Sequence, residues 1–257
     1  MSGSEARAAA RLLEARAGAR LAALPQDERP ADLAAALAVQ RAVVQQKGAA
    51  TRGWKVGCTG PAAEKLLGYD RPFYGRLLDP LMHASPARLP GNGFSMRVLE
   101  AEYAFRLGRD LGPAGAPWTA ETVADAVAAV HPAIEIVDTA YADWLSVGIF
   151  SLIADNGVHG AFVLGEGVSD WRGLDLVGGR VVFQVAGSDP VEGKGANVLG
   201  NPLASLAWLA NETAPSGGLK AGEIVTTGST IPPQPVGPAA SAEADFAGLG
   251  RVAVTFV

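Results

Sequence analysis

The chain has 257 residues, 49% of them hydrophobic, with a net charge of −5 and a single cysteine. Length and apolar content suffice for one large domain or two small ones around a sizeable core. The acidic balance argues against nucleic acid and anionic membrane surfaces as partners, while the lone Cys58 excludes an intrachain disulfide framework and fits a reducing compartment.

In chain order, residues 4–24 are rich in Ala, Leu and Arg with apolar positions at helical spacing, and Pro25 ends that helix. Glu5, Arg7, Arg11, Glu14 and Arg16 interrupt the segment before it can form a signal-peptide core. No stretch approaches the ~20 apolar residues of a membrane span. A cytoplasmic protein is therefore expected. A second helix follows in "ERPADLAAALAVQRAVVQQKG", with Pro30 in its first turn and Gly48 as its C′ residue. Residues 1–50 thus form a helical segment packed on a main domain, 51–257.

Beyond residue 50 the texture changes. The runs "GWKVGC", "RVLEAEYAFRL", "AIEIVD", "GAFVLG", "GGRVVFQVAG", "EIVTTGS" and "RVAVTFV" are short, apolar and bounded by Gly or Pro, which marks strands. Helices are expected at "PAAEKLLG", at "TAETVADAVAAV" behind the capping residue Thr119, and at "NPLASLAWLANE". Strands and helices do not alternate regularly, so the pattern favours an α+β roll or sandwich over a doubly wound parallel sheet. The Pro-rich "STIPPQPVGPAASA", 229–242, reads as a surface loop placed to lie over a site.

Three stretches carry candidate chemistry. In "RGWKVGCTG" strand alternation puts Lys55 between Gly53 and Gly57 on one face, with open space beside it. Such a lysine can neutralise an anionic substrate or move a proton; a solvated edge-strand lysine is the bland alternative. In "RVLEAEYAFRL" the face carrying Leu99, Ala101, Tyr103, Phe105 and Leu107 is apolar, and the other carries Glu100 and Glu102 side by side. Two adjacent carboxylates are tolerable if solvated, if one is protonated, or if a cation sits between them. Glu135 stands in a similar strand-like run. Three such carboxylates brought together would make an oxygen-only pocket, suited to Mg²⁺, Mn²⁺ or Ca²⁺ rather than zinc or copper. "IADNGVHG" gathers Asp155, Asn156 and His159 ahead of a strand, as site loops and tight turns both do. The sequence holds no phosphate-binding loop, no H-E-x-x-H helix and no G-x-S-x-G elbow.

Taken in order, "GWKVGCT", "LGYDRPFYGRLL", "LEAEYAFRLGRDL", "HPAIEIVD", "ADNGVHGAFVLG", "VLGNPLASLAWLAN", "GLKAGEIVTTGS" and "ADFAGLGRVAVTF" are specific. The chain resembles the 2-keto-4-pentenoate hydratase and 4-oxalocrotonate decarboxylase group of the fumarylacetoacetate hydrolase superfamily. The resemblance implies a mixed β-roll or sandwich fold with N-terminal helices. It implies Mg²⁺ or Mn²⁺ held by Glu100, Glu102 and Glu135 and a substrate lysine at Lys55. Catalytic roles are expected for Lys55, Asp155 and His159, and substrate contacts from Asn156, Thr227 and Gly228. It further implies a homo-oligomer acting on a small 2-oxo or 2-hydroxydienoic acid. Hydration of a 2-hydroxy-2,4-dienoate is the leading expectation. Decarboxylation or acylpyruvate-type C–C hydrolysis on the same site, or a catalytically silent partner subunit, are the alternatives. Two motifs depart from the group's pattern. Pro72-Phe73-Tyr74-Gly75 carries Phe73 where an aspartate is expected, and Asp155-Asn156-Gly157-Val158-His159-Gly160 carries Val158 and His159 where two serines are expected. Phe73 adds apolar bulk, which favours a substrate with an apolar tail, and His159 offers a proton acceptor near neutral pH.

Overall fold

The computed structural model describes residues 3–257. Two helices come first, α1 (Gly3–Ala17) and α2 (Leu33–Lys47). They are followed by β1 (Thr51–Gly57), α3 (Pro61–Leu67), β2 (Phe73–Leu78), β3 (Met82–Ala84), β4 (Ala87–Leu89) and β5 (Val98–Leu107). Then come α4 (Ala120–Ala124), β6 (Val127–Val137), α5 (Ile149–Ala154), β7 (His159–Leu164), β8 (Arg180–Val185) and β9 (Val191–Lys194). The chain closes with α6 (Pro202–Thr213), β10 (Ile224–Ser229), β11 (Gln234–Pro235), β12 (Ser241–Phe246) and β13 (Gly250–Phe256).

Local chemistry sets most helix ends. Asp32 accepts the Ala35 N–H at 2.8 Å to start α2, and Gly48 ends it in the left-handed region at φ 64°. Pro30 therefore lies ahead of the helix rather than in its first turn. α1 stops at Ala17, seven residues short of the expected end, because the chain turns there to pair Leu21 with Tyr141. The helix expected over 119–130 is only α4, capped reciprocally by Thr119 and Thr122. Its second half, "VAAV", is taken by β6, whose pairing with β5 along ten registered positions outweighs the helical propensity of alanine. α5, which the sequence did not indicate, ends immediately ahead of Asp155.

One eight-stranded sheet runs β2-β1-β10-β5-β6-β7-β3, with β11 added against β5; the other runs β4-β13-β12-β8-β9. The β1–β10, β3–β7 and β4–β13 pairs are parallel and the rest antiparallel, so the fold is mixed α+β. Leu99, Ala101, Tyr103, Phe105 and Leu107 are buried, and with Ile134 and Ile136 they pack against Phe183, Ala244, Phe246 and Val254 of the second sheet. Tyr103 meets Phe246 edge-on at 5.0 Å between ring centroids. That contact fills one face of the large sheet. The opposite face, carrying Glu100 and Glu102, is the one left for chemistry.

The N-terminal helices close part of that face. Ala8, Leu12, Val39 and Val43 share a core cluster with Val137, Tyr141, Leu152 and Val158. Polar anchors set their position: Arg16 Nε donates to Asp155 Oδ1 at 2.7 Å, and Arg20 Nη2 to Asp138 Oδ2 at 2.9 Å.

Candidate active site

Sheet pairing assembles the acidic cluster. Glu100 lies directly opposite Glu135 in the β5–β6 ladder, so both side chains leave the same face, and Glu102 follows two residues along β5. One oxygen from each of the three carboxylates lies within 4.8 Å of the others. Glu102 and Glu135 are fully buried, and Glu100 is partly open to the cavities beside it. The bland reading of a solvated sheet face is excluded by this burial.

β1 supplies the cation. Lys55 is 2% exposed, with its Nζ 3.5 Å from Glu135 Oε2 and 5.2 Å from the Phe73 ring centroid. β10 supplies hydrogen bonds. A break in register between Thr226 and Ser229 lets Gly228 N–H donate to Glu102 Oε2 at 2.9 Å, alongside the Thr226 hydroxyl. Gly228 is required there: its φ is 103°, and a Cβ would stand 1.9 Å from Thr59 Oγ1.

Burial first, and the neighbouring charge of Glu135 second, push the Glu100 carboxyl up to about 7 and the Glu102 carboxyl well above its ordinary range. Glu102 Oε1 and Glu135 Oε2 are buried without a hydrogen-bond partner. Three carboxylates face one lysine, with two oxygens unsatisfied. This all-oxygen donor set fits a hard divalent cation, which would neutralise the excess charge and satisfy those oxygens.

The remaining expected residues fall into two groups. His159 and Gly228 join the cluster. His159 is 1% exposed, burial lowers its pKa below the ordinary histidine value, and its Nδ1–H donates to the Glu135 carboxylate at Oε1 at 3.0 Å. It stands behind Glu135 and lines neither neighbouring cavity, and its Nε2 has no partner. Asp155, Asn156 and Thr227 are drawn elsewhere. Asp155 accepts from Arg16, from Thr139 Oγ1 at 2.7 Å and from Ala140 N at 2.7 Å, which occupies both its oxygens in holding α1. Asn156 binds the backbone of Arg76 on β2, accepting from its N at 2.8 Å and donating to its O at 2.9 Å. Thr227 donates to Tyr103 O at 3.0 Å. Thr226 was not anticipated, because its contact with Glu102 depends on which strand pairs with β5.

Two cavities adjoin Glu100. One, of about 230 Å³, is lined by Thr59, Asn197, Ser229 and Thr230 among others. The second, of about 260 Å³, is lined by Lys55, Phe73, Met96, Trp144, Leu152 and Val158 among others. Pro233, in the irregular segment expected over a site, borders both.

Fold and site together define a mixed α+β protein with a buried three-carboxylate centre beside a lysine, at the mouth of two cavities. A family model described as "Fumarylacetoacetate (FAA) hydrolase C-terminal" matches residues 80–257. The chain belongs to the fumarylacetoacetate hydrolase family. It is 36% identical over 258 residues to a 2-keto-4-pentenoate hydratase of Burkholderia vietnamiensis (strain G4 / LMG 22486), covering 96% of this chain and 95% of that protein. It is 35% identical over 205 residues to a 2-keto-4-pentenoate hydratase of Paraburkholderia xenovorans (strain LB400), covering 79% and 75%. Among solved structures, the 4-oxalocrotonate decarboxylase from Pseudomonas putida G7, complexed with magnesium and adipate, superposes with a TM-score of 0.90. The two are 27% identical over 98% of this chain and 97% of that one.

Proposed function

We propose that this chain hydrates a 2-hydroxy-2,4-dienoate of the 2-keto-4-pentenoate type to a 4-hydroxy-2-oxo acid. The observation that carries the reading is the buried triad of Glu100, Glu102 and Glu135 facing Lys55, in a chain alignable almost end to end with a hydratase. The reaction moves the proton of the 2-hydroxyl to the far end of the diene, giving a 2-oxo-3-enoate. The oxygen of water then bonds to C4, and a proton ends on C3. Mg²⁺ or Mn²⁺ bound by the three glutamates would supply a Lewis acid for the substrate's carboxylate and 2-oxygen, stabilising the charge that develops there.

The chain's own groups do the rest. Lys55 Nζ faces the cavity beside Glu100, where it can offset substrate charge and move the proton between oxygen and carbon. His159 and Thr226 hold Glu135 and Glu102 in the orientation a cation needs. The apolar wall keeps bulk water from the reacting carbons. Asp155 and Asn156 act on this reading as supports, and Gly228 contributes its backbone N–H to Glu102 rather than to substrate. A homo-oligomeric, cytoplasmic enzyme completes the proposal.

Decarboxylation is the second reading, favoured by the 0.90 superposition on a decarboxylase. The two differ in product. Incubation of 2-hydroxypenta-2,4-dienoate with the protein and Mg²⁺ should bleach the conjugated absorbance and yield 4-hydroxy-2-oxopentanoate, and chelation should abolish the change. Persistence of the diene, with CO₂ released from oxalocrotonate instead, would overturn the hydratase reading. Within that assay Lys55→Met should lower turnover by at least ~10²-fold, while Mn²⁺ affinity measured by calorimetry stays within a fewfold of wild type. Near wild-type turnover would place Lys55 outside the chemistry.

A further inference from the structure

The two cavities beside Glu100 differ in chemistry. The smaller presents hydroxyl and amide groups from Thr59, Asn197 and Ser229. The larger is walled by Leu66, Phe73, Met96, Trp144, Leu152 and Val158. Among the described residues lining either one, Lys55 is the one cationic side chain, and it already faces Glu135 at 3.5 Å. The Phe73 ring is fixed as part of that wall: a Cβ on Gly57 would come within 2.9 Å of it and one on Gly157 within 3.2 Å. Of the three positions that depart from the family pattern, Phe73 and Val158 border the larger cavity, while His159 lies outside it behind Glu135.

From this we infer that the larger cavity is a specificity pocket for the distal end of the substrate, and that it selects a monocarboxylic acid with an apolar tail. The inference rests on the proposed placement of the 2-oxo acid head at the glutamate cluster. With the head there, the hydroxyl and amide groups of the smaller cavity suit the oxygen-rich end and the carbon chain enters the larger, more apolar one. A five-carbon acid leaves much of the 260 Å³ unfilled. Each added methylene leaves water for an apolar wall, a gain of about threefold to fourfold in affinity. A second carboxylate at the far end would lose its hydration with no free cation to receive it. The solved decarboxylase was crystallised with adipate, which has an acid at both ends; this pocket offers no partner for the second.

Binding of non-reacting acids separates this inference from the reaction itself. Calorimetry on the Mg²⁺-loaded protein would compare 2-oxopentanoate, 2-oxohexanoate, 2-oxooctanoate and the diacid 2-oxoadipate. Expected is an affinity for 2-oxooctanoate at least about tenfold above that for 2-oxopentanoate, with 2-oxoadipate at least tenfold weaker than 2-oxohexanoate. Leu66 is 52% exposed on α3, so Leu66→Lys should fold normally and place a cation at the pocket rim. That variant should bind 2-oxoadipate better and 2-oxooctanoate worse. Affinities that ignore chain length, or a wild-type preference for the diacid, would overturn the pocket. If length dependence holds but the corresponding dienoates are not hydrated, the pocket stands and the hydratase reading falls.

Discussion

Glu135 shows how much of the site is built by single side chains. It is fully buried, and its two oxygens face different groups: Oε1 takes the Nδ1–H of His159, and Oε2 looks toward Lys55. A proton donor on one oxygen leaves the other free for a cation, which is how a carboxylate is oriented toward a metal. Asp155, a few residues from His159 in sequence, has the opposite fate. Both its oxygens are spent on Arg16, Thr139 and Ala140, and Arg16 is itself only 17% exposed. Asp155→Ala should thus act on stability. Removing one partner of a buried pair costs about 3 kcal/mol, a fall of roughly 10 °C in Tm by calorimetry, while Mn²⁺ affinity of the folded protein stays within a fewfold of wild type. Loss of Mn²⁺ binding with an unchanged Tm would return Asp155 to the site. Cys58 lines both cavities, but burial pushes its thiol up to about 11 and it donates to Tyr69 O. Raising the pH therefore keeps increasing the thiolate fraction past pH 10. Alkylation at pH 8 should run about a hundredfold slower than for a free thiol, and a rate that levels off near pH 8.5 would contradict this assignment.

Among the elements, the junction of β10 with β5 matters most. The register break at Thr227–Gly228 brings a hydroxyl and an N–H onto one oxygen of Glu102. Gly228→Ala would force a left-handed φ on alanine and a Cβ into Thr59, at a cost of about 1–3 kcal/mol. Lower thermal stability and weaker Mn²⁺ binding are expected together, because the same backbone N–H holds the ligand; a variant equal to wild type in both would show that the bulge is not needed. Neither the bulge nor Thr226's part in it was legible in the sequence. "VTTG" reads as a strand end, and nothing local says that β5 is its partner. The helix expected over 119–130 teaches a related lesson, since its second half is alanine-rich and helical by propensity, yet β5 recruits that half into β6. By contrast, the alternation in "RVLEAEYAFRL" gave both faces of β5 correctly, because a period of two depends on no partner.

Across the whole molecule, two sheets share one core, and the large sheet has one face spent on packing and the other on charge. The helices at the N-terminus cover part of the charged face through an apolar cluster and the Arg16 and Arg20 anchors. Three carboxylates and a lysine from β1, β5 and β6 meet there, although 80 residues separate Lys55 from Glu135. Seven of the thirteen strands among the described residues were readable individually, as was the acidic character of β5 and β6; β11 lies inside the segment expected as a loop. That Glu100, Glu102 and Glu135 share one site was supplied by family resemblance, since pairing between distant strands leaves no local trace. Asp155, Asn156 and Thr227, also expected near substrate, have hydrogen-bond partners within the fold at Arg16, the Arg76 backbone and Tyr103 O.

The cation is the point on which the function turns, and Mn²⁺ titration by calorimetry addresses it directly. The wild-type protein should bind one Mn²⁺ per chain. Glu102→Gln removes one anionic ligand from the buried cluster while keeping its shape, and should weaken that binding at least tenfold, by about 1.4 kcal/mol or more. Equal affinity in the variant, or no binding by the wild type, would contradict the assignment of Glu100, Glu102 and Glu135 as the metal centre.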